Sequence, residues 1–412
     1  MRVDITEVNL FFSYLSDSLN TDNLSLVEGI TTDSRDVQEN DLFLAIKGEN
    51  FDGSDFIDEA LSNGAIYAIT ESVNDSDNVF TVDNTIEFIG GICSKWMADF
   101  DGKTIAITGS NGKTTTKDLI AHVLIKSGHN VSKTEGNFNT SIGVPLTIFS
   151  FPNSSSQIYV LELGANQVGD IDYLSSIVKP DIGIVTNISG AHLEGFGSID
   201  NIRQEKKSIF NHSNKGYYGN EIDTSITLSN HPLANNEVFL KNASLTYEVC
   251  KDLIGKSDRE EFSRIIDDFV LPKGRGQTCF LSRGIMLIDD TYNANPESVK
   301  AAIDNIARYD NKGKKIFIFG DMKELGNDEA RFHEEIGSYC SGKVDTIMCY
   351  GDLTKNTIND SNAVPIQLHF DTKEALFNEL CSQMKENDVV LLKGSRSMEL
   401  DTIIEDIIRY AK

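Results

Sequence analysis

The sequence predicts an α/β protein of several domains, each built on a mainly parallel sheet covered by helices. Three observations carry this. The chain has 412 residues, more than one hydrophobic core ordinarily organises, so two or three domains are expected. Short β-branched apolar runs alternate with helical stretches, the order that gives parallel strands with helices on both faces. The run Thr104-Ile105-Ala106-Ile107-Thr108-Gly109-Ser110-Asn111-Gly112-Lys113-Thr114-Thr115-Thr116 reads as a buried strand, a glycine turn and the opening of a helix over 117–126.

Taken in order, the first block shows strand-like runs at 42–46, 66–70 and 79–82, separated by turn pairs such as Asp52-Gly53 and Asn63-Gly64. It reads as a small α/β domain ending near Asp83. The second block holds the glycine turn, then strands at 158–163 and 182–187. The third begins near Lys273 and repeats the pattern, with strands at 285–289, 315–319, 346–350 and 389–393. In its last helix Leu400, Ile403, Ile404, Ile407 and Ile408 fall on one stripe, a core-facing pattern. Domains are therefore expected over 1–84, 85–272 and 273–412.

The glycine turn carries the chemistry. A strand feeding a glycine loop and then a helix aims backbone N–H groups and a helix N-terminus at phosphate. Lys113 supplies a point charge there, and the Thr114 hydroxyl lies near a magnesium ion. The spacing is Gly-x-x-Gly-Lys-Thr; the longer Gly-x-x-x-x-Gly-Lys-Thr is ruled out because position 107 is Ile. The alternative is a glycine turn with an incidental lysine. Strand, turn and helix in the required order favour a compact nucleoside triphosphate cradle.

Composition narrows the class. No apolar run approaches the ~20 residues of a membrane helix, and Met1 to Leu10 does not read as a signal peptide. Cys93, Cys250, Cys279, Cys340, Cys349 and Cys381 include no Cys-x-x-Cys pair, as expected for reduced core thiols in a cytoplasmic protein. The net charge of −26 disfavours nucleic acid and anionic lipid as partners. An anionic nucleotide would then need a local cluster of Lys, Arg and metal.

Four segments in succession resemble motifs of the Mur ligase family: Thr108 to Thr114, Glu162-Leu163-Gly164-Ala165-Asn166, Thr186-Asn187-Ile188, and Ala191-His192-Leu193-Glu194-Gly195-Phe196-Gly197. Supporting segments are Asp33-Ser34-Arg35, the stretch from Lys47 to Gly53, Gly136-Asn137-Phe138-Asn139, Gly274-Arg275-Gly276, the stretch from Asp289 to Pro296, Gly320-Asp321-Met322 and the stretch from Lys393 to Met398. The resemblance runs from about Thr32 to Ser397 and is nearest to the members that add D-alanyl-D-alanine.

The resemblance implies three domains: an N-terminal one for a UDP-sugar, a central P-loop ATPase-like one, and a Rossmann-like C-terminal one. It also implies an ATP- and Mg²⁺-dependent amide ligase acting as a monomer on UDP-N-acetylmuramoyl-tripeptide and D-Ala-D-Ala. A carboxylate takes the γ-phosphoryl group, and the amine then displaces phosphate. Gly109, Ser110, Asn111, Gly112, Lys113, Thr114 and Thr115 would cradle the phosphates. Thr114, Glu162 and His192 would be metal ligands, although imidazole is not magnesium's preferred donor. His192 could equally be a structural loop histidine. Lys206 aligns with a lysine that is carbamylated in the family; an ordinary solvated Lys206-Lys207 pair is the alternative.

Arg275 would fork onto ATP phosphates, and Asp290, Tyr292 and Asn293 would meet the ribose or base. Asn295, Lys393, Ser395 and Arg396 would face the dipeptide, with Arg396 on its terminal carboxylate. Ser34, Arg35 and Lys47 resemble the UDP-sugar site, and Asn137 and Asn139 belong to the substrate set. Asp33-Ser34 could also be only a side-chain turn.

Two departures stand out. Only 64 residues separate Phe210 from Arg275, a shortened central domain. The family's His-Asn-x-x-Asn segment is not recognisable; a forced alignment leaves Asn242 as its last Asn, with Val238 and Phe239 where His-Asn would stand. Another amide ligase of the superfamily and a catalytically silent nucleotide binder remain as alternatives.

Overall fold

The computed structural model describes residues 1–411 except 49–50, 154, 191–192, 225, 229–230, 232, 235, 256–257 and 359–363. The chain folds as two compact units. One comprises Met1–Thr108, Ile120–Val185 and Glu205–Tyr218, the other Gly109–Leu119, Thr186–Gln204 and Gly219–Lys412.

The first unit holds two five-stranded sheets. In the N-terminal one, β1 (Arg2–Asp4), β2 (Gly29–Thr31), β3 (Asp41–Leu44), β4 (Ala65–Thr70) and β5 (Val79–Thr81) lie in sequence order. Only the β1–β2 pair is antiparallel. Helices α1 (Val8–Leu19), α2 (Ile57–Ser62) and α3 (Thr85–Ala98) accompany it. Trp96 on α3 is fully buried and meets Phe149 edge-on at 5.4 Å, and Phe149 meets Phe11 of α1 edge-on at 5.0 Å. Such edge-to-face pairs are worth about 0.5–1.5 kcal/mol each beyond their buried area.

The second sheet, in the order β10-β9-β6-β8-β7, is wholly parallel. Along the chain run β6 (Lys103–Thr108), α4 (Lys113–Lys126), β7 (Val131–Lys133), α5 (Gly143–Phe149), β8 (Ile158–Glu162), α6 (Asp170–Val178), β9 (Ile182–Val185), α7 (Leu193–Phe196), α8 (Ile199–Lys207) and β10 (Lys215–Tyr218). Strands β8 and β9 are buried along their whole length, as parallel strands covered on both faces must be. Helix α4 opens at Lys113, four residues earlier than the apolar pattern suggests. The polar Lys113-Thr114-Thr115-Thr116 turn carries no hydrophobic period and is helical all the same.

Helix α6 is started by a remote group. Its N-cap, Gly169, has φ +101° and offers no side chain. The buried Glu205 carboxylate instead accepts the N–H groups of Gly169 and Ile171, each at 2.7 Å. Orphan amides at a helix start need such an acceptor, and a carboxylate there also meets the positive end of the helix dipole.

The second unit contains α9 (Glu237–Ile254), α10 (Arg259–Ile266) and a six-stranded sheet in the order β11-β12-β16-β13-β14-β15. Its strands are β11 (Gln277–Phe280), β12 (Met286–Asp290), β13 (Lys315–Gly320), β14 (Thr346–Tyr350), β15 (Ile366–Phe370) and β16 (Val389–Lys393), with only β11 antiparallel. Strand alternation divides the core in two. Phe317 and Phe319 pack with Val299, Ile303 and Ile336 of α11 (Pro296–Ala307) and α12 (Glu329–Tyr339). Ile316 and Ile318 pack on the other face with Leu376, Leu380 and Ile407 of α13 (Lys373–Gln383) and α14 (Ile404–Tyr410). The apolar stripe from Leu400 is buried through Ile407, with Ile408 half-buried, but it is a short 3₁₀ turn, Leu400–Ile403, followed by α14. The edge strands β1, β7, β10, β11 and β15, with β2, are too short or too polar to stand out in the sequence.

Candidate active site

The glycine turn of the second unit is braced from several sides. Gly109 has φ +143°, and a Cβ there would lie 2.0 Å from Thr186 Oγ1. The N–H of Ser110 donates to the Asn187 carbonyl and that of Asn111 to Asn187 Oδ1, at 3.0 and 2.8 Å. Ser110 Oγ bridges the backbone of Ser189, and Thr186 Oγ1 donates to the Asn111 carbonyl. Lys113 Nζ donates to the Gly109 carbonyl at 2.8 Å, so its ammonium is folded over the loop.

The C-terminal segment reaches the same loop. Arg275 Nη2 donates to Thr114 Oγ1 at 3.2 Å, and its guanidinium lies 3.7 Å above the Tyr292 ring. Gly274 and Gly276, with φ +75° and +84°, let the turn present Arg275 outward. Asp289, buried, is the residue the motif reading passed over. Its carboxylate takes the Gly274 N–H at 3.2 Å and the Thr291 hydroxyl at 2.6 Å, tying the Arg275 turn to the Tyr292 segment. Asn295 caps α11 through Oδ1 and donates Nδ2 to Asn111 Oδ1 at 2.7 Å. It therefore touches the phosphate loop, where the motif pointed to the dipeptide.

Asp290 pairs with Lys393 at 2.6 Å, and Lys393 Nζ also donates to the Asn293 carbonyl at 3.0 Å. Burial raises the Asp290 carboxyl above the ordinary range, against the opposing pull of Lys393. Arg396 gives Nη1 to Asp401 at 2.6 Å. Where His-Asn was sought, Phe239 is buried and stacked on the His231 ring at 4.6 Å. Asn242 lies against the loop instead, its Oδ1 3.0 Å from where a Gly112 Cβ would stand.

In the first unit, Glu162 ends β8, 2 % exposed, and accepts Asn139 Nδ2 at 2.9 Å. Asn137 is exposed beside it in sequence. Lys206 is 2 % exposed, which removes the solvated-pair reading for it; Lys207 lies over the Tyr218 ring at 4.7 Å. Ser34 donates its hydroxyl to Glu59 at 2.6 Å. Arg35 forks onto Asp33, holding that carboxyl at about 2, so the side-chain turn expected at Asp33 is present together with the ion pair. Lys47 is exposed and backbone-paired with Asp52. His192 lies outside the described residues. Among the described residues no cluster of three or more His, Cys, Asp or Glu is placed to hold a metal ion, and no helix is long and apolar enough to cross a membrane. All six cysteines are free. Burial pushes the thiols of Cys93, Cys250, Cys340 and Cys349 up, which makes them inert.

His333, buried on α12, holds the loop after β13. Its Nε2 accepts the Met322 N–H at 2.9 Å and its Nδ1 faces the Glu329 carbonyl at 2.6 Å, so the neutral ring with the proton on Nδ1 satisfies both. Burial lowers its pKa from the usual 6.5. Below that pH the unfolded chain binds a proton that the folded one refuses. Stability should therefore fall as pH drops through 6.5, by at most about 1.4 kcal/mol per pH unit, until the lowered folded value is reached. The urea midpoint of the wild type should decrease from pH 7.5 to 5.5. His333→Gln, which can accept but cannot titrate, should flatten that slope.

Three family models match in chain order. That described as Mur ligase family, catalytic domain, covers 26–98; the Mur ligase middle domain covers 107–251; the Mur ligase, glutamate ligase domain, covers 274–396. The UDP-N-acetylmuramoyl-tripeptide--D-alanyl-D-alanine ligase of Bacillus subtilis (strain 168) is 30% identical, over 93% of this chain and 94% of its own. This chain belongs to the Mur ligase family. A ligase of the same name from Haemophilus influenzae is 33% identical, over 92% of this chain and 93% of its own. The crystal structure of the MurF ligase from Thermotoga maritima in complex with ADP matches with a TM-score of 0.80 at 29% identity, over 93% of this chain and 97% of that one. Membership in the Mur ligase family accounts for the three α/β sheets and for the phosphate loop at the end of β6.

Proposed function

We propose that this chain adds D-alanyl-D-alanine to UDP-N-acetylmuramoyl-tripeptide in an ATP-dependent amide ligation, in the cytoplasmic synthesis of peptidoglycan precursor. The observation that carries the reading is the phosphate loop braced by Arg275 and Asn295 of the C-terminal segment. Relatives bearing that activity in their names match along more than nine-tenths of both chains.

The chemistry asks for alignment and charge neutralisation more than covalent help. The tripeptide carboxylate attacks the γ-phosphorus and ADP leaves. The dipeptide amine then attacks the acyl carbon, expelling phosphate and losing a proton. Lys113, now folded on loop carbonyls, is placed to turn its ammonium to the β- and γ-phosphates. Arg275 brings a rigid fork already oriented by the Tyr292 ring. Magnesium, where bound, neutralises the phosphates; the Thr114 hydroxyl and the buried Glu162 carboxylate are hard oxygen donors of the kind it takes. Buried Lys206 is the candidate for carbamylation, which would convert a cation into a supporting anion.

Arg275→Lys keeps the charge but loses both fork and ring stacking. It should lower kcat/KM for ATP by about 10²-fold, read from initial rates at varied ATP. The reading itself is tested by phosphate release with ATP, Mg²⁺, UDP-N-acetylmuramoyl-tripeptide and D-Ala-D-Ala, each omitted in turn. Release that needs both substrates, with a pentapeptide product of the right mass, is expected. ATP binding without turnover would sink the ligase assignment.

A further inference from the structure

The carboxyl ends of β13 and β16 form the switch point of the C-terminal sheet. From β13 the chain leaves through α12 on one face; from β16 it leaves through α14 on the other. Open α/β sheets bind ligands in the crevice such a reversal creates. The two loops there, Gly320 to Lys323 and Gly394-Ser395, close directly on each other, since a Cβ on Gly394 would lie 3.0 Å from the Gly320 Cα.

One side chain at this crevice is held in place by everything around it yet remains open to solvent. Lys323 is 44 % exposed, and its Nζ donates to Asp321 Oδ2 at 2.9 Å. Asp321 is 2 % exposed. Its Oδ1 accepts the Thr354 N–H at 3.0 Å, and Gly351, with φ +114°, leaves room for it: a Cβ there would lie 2.4 Å from that oxygen. The Lys323 N–H donates to Ser395 Oγ at 2.8 Å, the Ser395 N–H to the Asp321 carbonyl at 3.0 Å, and the Met322 N–H to buried His333. An exposed ion pair contributes little to stability. A buried carboxylate held by the Thr354 N–H, on a loop whose backbone is pinned by Ser395 and His333, and orienting one exposed ammonium, is instead the construction of a fixed cation for an anionic ligand. Arg396, next along the chain, already gives Nη1 to Asp401.

We propose that Lys323 is the residue that recognises the terminal carboxylate of the incoming dipeptide, with Asp321 as its positioning residue. This rests on the ligase reading and names the specificity element of its second substrate. Lys323 is the point charge that selects a peptide ending in a free acid, and Asp321 sets where that charge stands.

The test compares D-Ala-D-Ala with its C-terminal carboxamide as acceptors, in the full chain with ATP, Mg²⁺ and UDP-N-acetylmuramoyl-tripeptide. Wild type should prefer the free acid in kcat/KM by roughly 10–100-fold, the worth of one charge-assisted hydrogen bond. In Lys323→Ala the preference should collapse towards one through a raised KM for D-Ala-D-Ala, with KM for ATP unchanged, and Lys323→Arg should restore part of it. Asp321→Asn should weaken the preference without abolishing turnover. Retention of the preference in Lys323→Ala, or its collapse in Arg396→Ala alone, would overturn the assignment. A wild type that turns over neither dipeptide would refute the ligase reading and this inference with it.

Discussion

Lys113→Ala should reduce ATP-dependent phosphate release by about 10³-fold, the order of loss when one preorganised group facing developing charge is removed. The chain carries 26 more negative than positive charges, so an anionic nucleotide arrives against the field of the whole protein. Local cations must reverse that field at the loop. Lys113 is the one rooted in the loop itself, with Nζ already on the Gly109 and Ser110 carbonyls. Removing it leaves the bracing of Gly109 to Asn111 by Thr186, Asn187 and Ser189 untouched. Circular dichroism and the urea midpoint should therefore stay at wild-type values while turnover disappears. A variant that unfolds along with losing activity would show that the lysine acts as a structural clasp.

Glu205→Ala should destabilise the first unit by about 2 kcal/mol, seen as a lower urea midpoint. The buried N–H of Ile171 and the N–H of exposed Gly169 would both lose the Glu205 carboxylate at the start of α6, and an unsatisfied buried donor costs about 1–3 kcal/mol. Glu205→Gln should recover little. Its amide has one accepting oxygen, so its NH₂ group would face one of the two donors. Because Lys206 is the next residue, catalysis should fall as well, and a stabilising osmolyte should restore the fold before it restores the rate.

How much of this was legible depended on whether the signal was local. The strands at 346–350 and 389–393 are apolar runs broken only at an end, by Thr346 and Lys393, and the structure reproduces both bounds. The phosphate loop was legible because glycine, lysine and threonine do their work within six residues. What escaped was set by partners far apart in sequence. Glu205 caps a helix that begins 35 residues earlier, and no pattern around Gln204-Glu205-Lys206 announces it. Asp289 looks like a strand-end acid until Gly274 is seen to lie against it. Asn295 fits a helix-cap signature, which was readable; its bond to Asn111 spans 184 positions and was not. The missing His-Asn pair was legible, but not what fills its place: Phe239 is stacked on His231, eight positions earlier.

Trp96 is the chain's only tryptophan, and it sits at zero exposure in the first unit. Indole emission is thus a reporter of one half of the molecule alone. A red shift on titration with denaturant would time the opening of the N-terminal and central sheets, while the C-terminal sheet would melt in optical silence. Ellipticity sums both. Divergence between the two curves would be a direct readout of independent unfolding, obtained on the wild-type chain with no label attached.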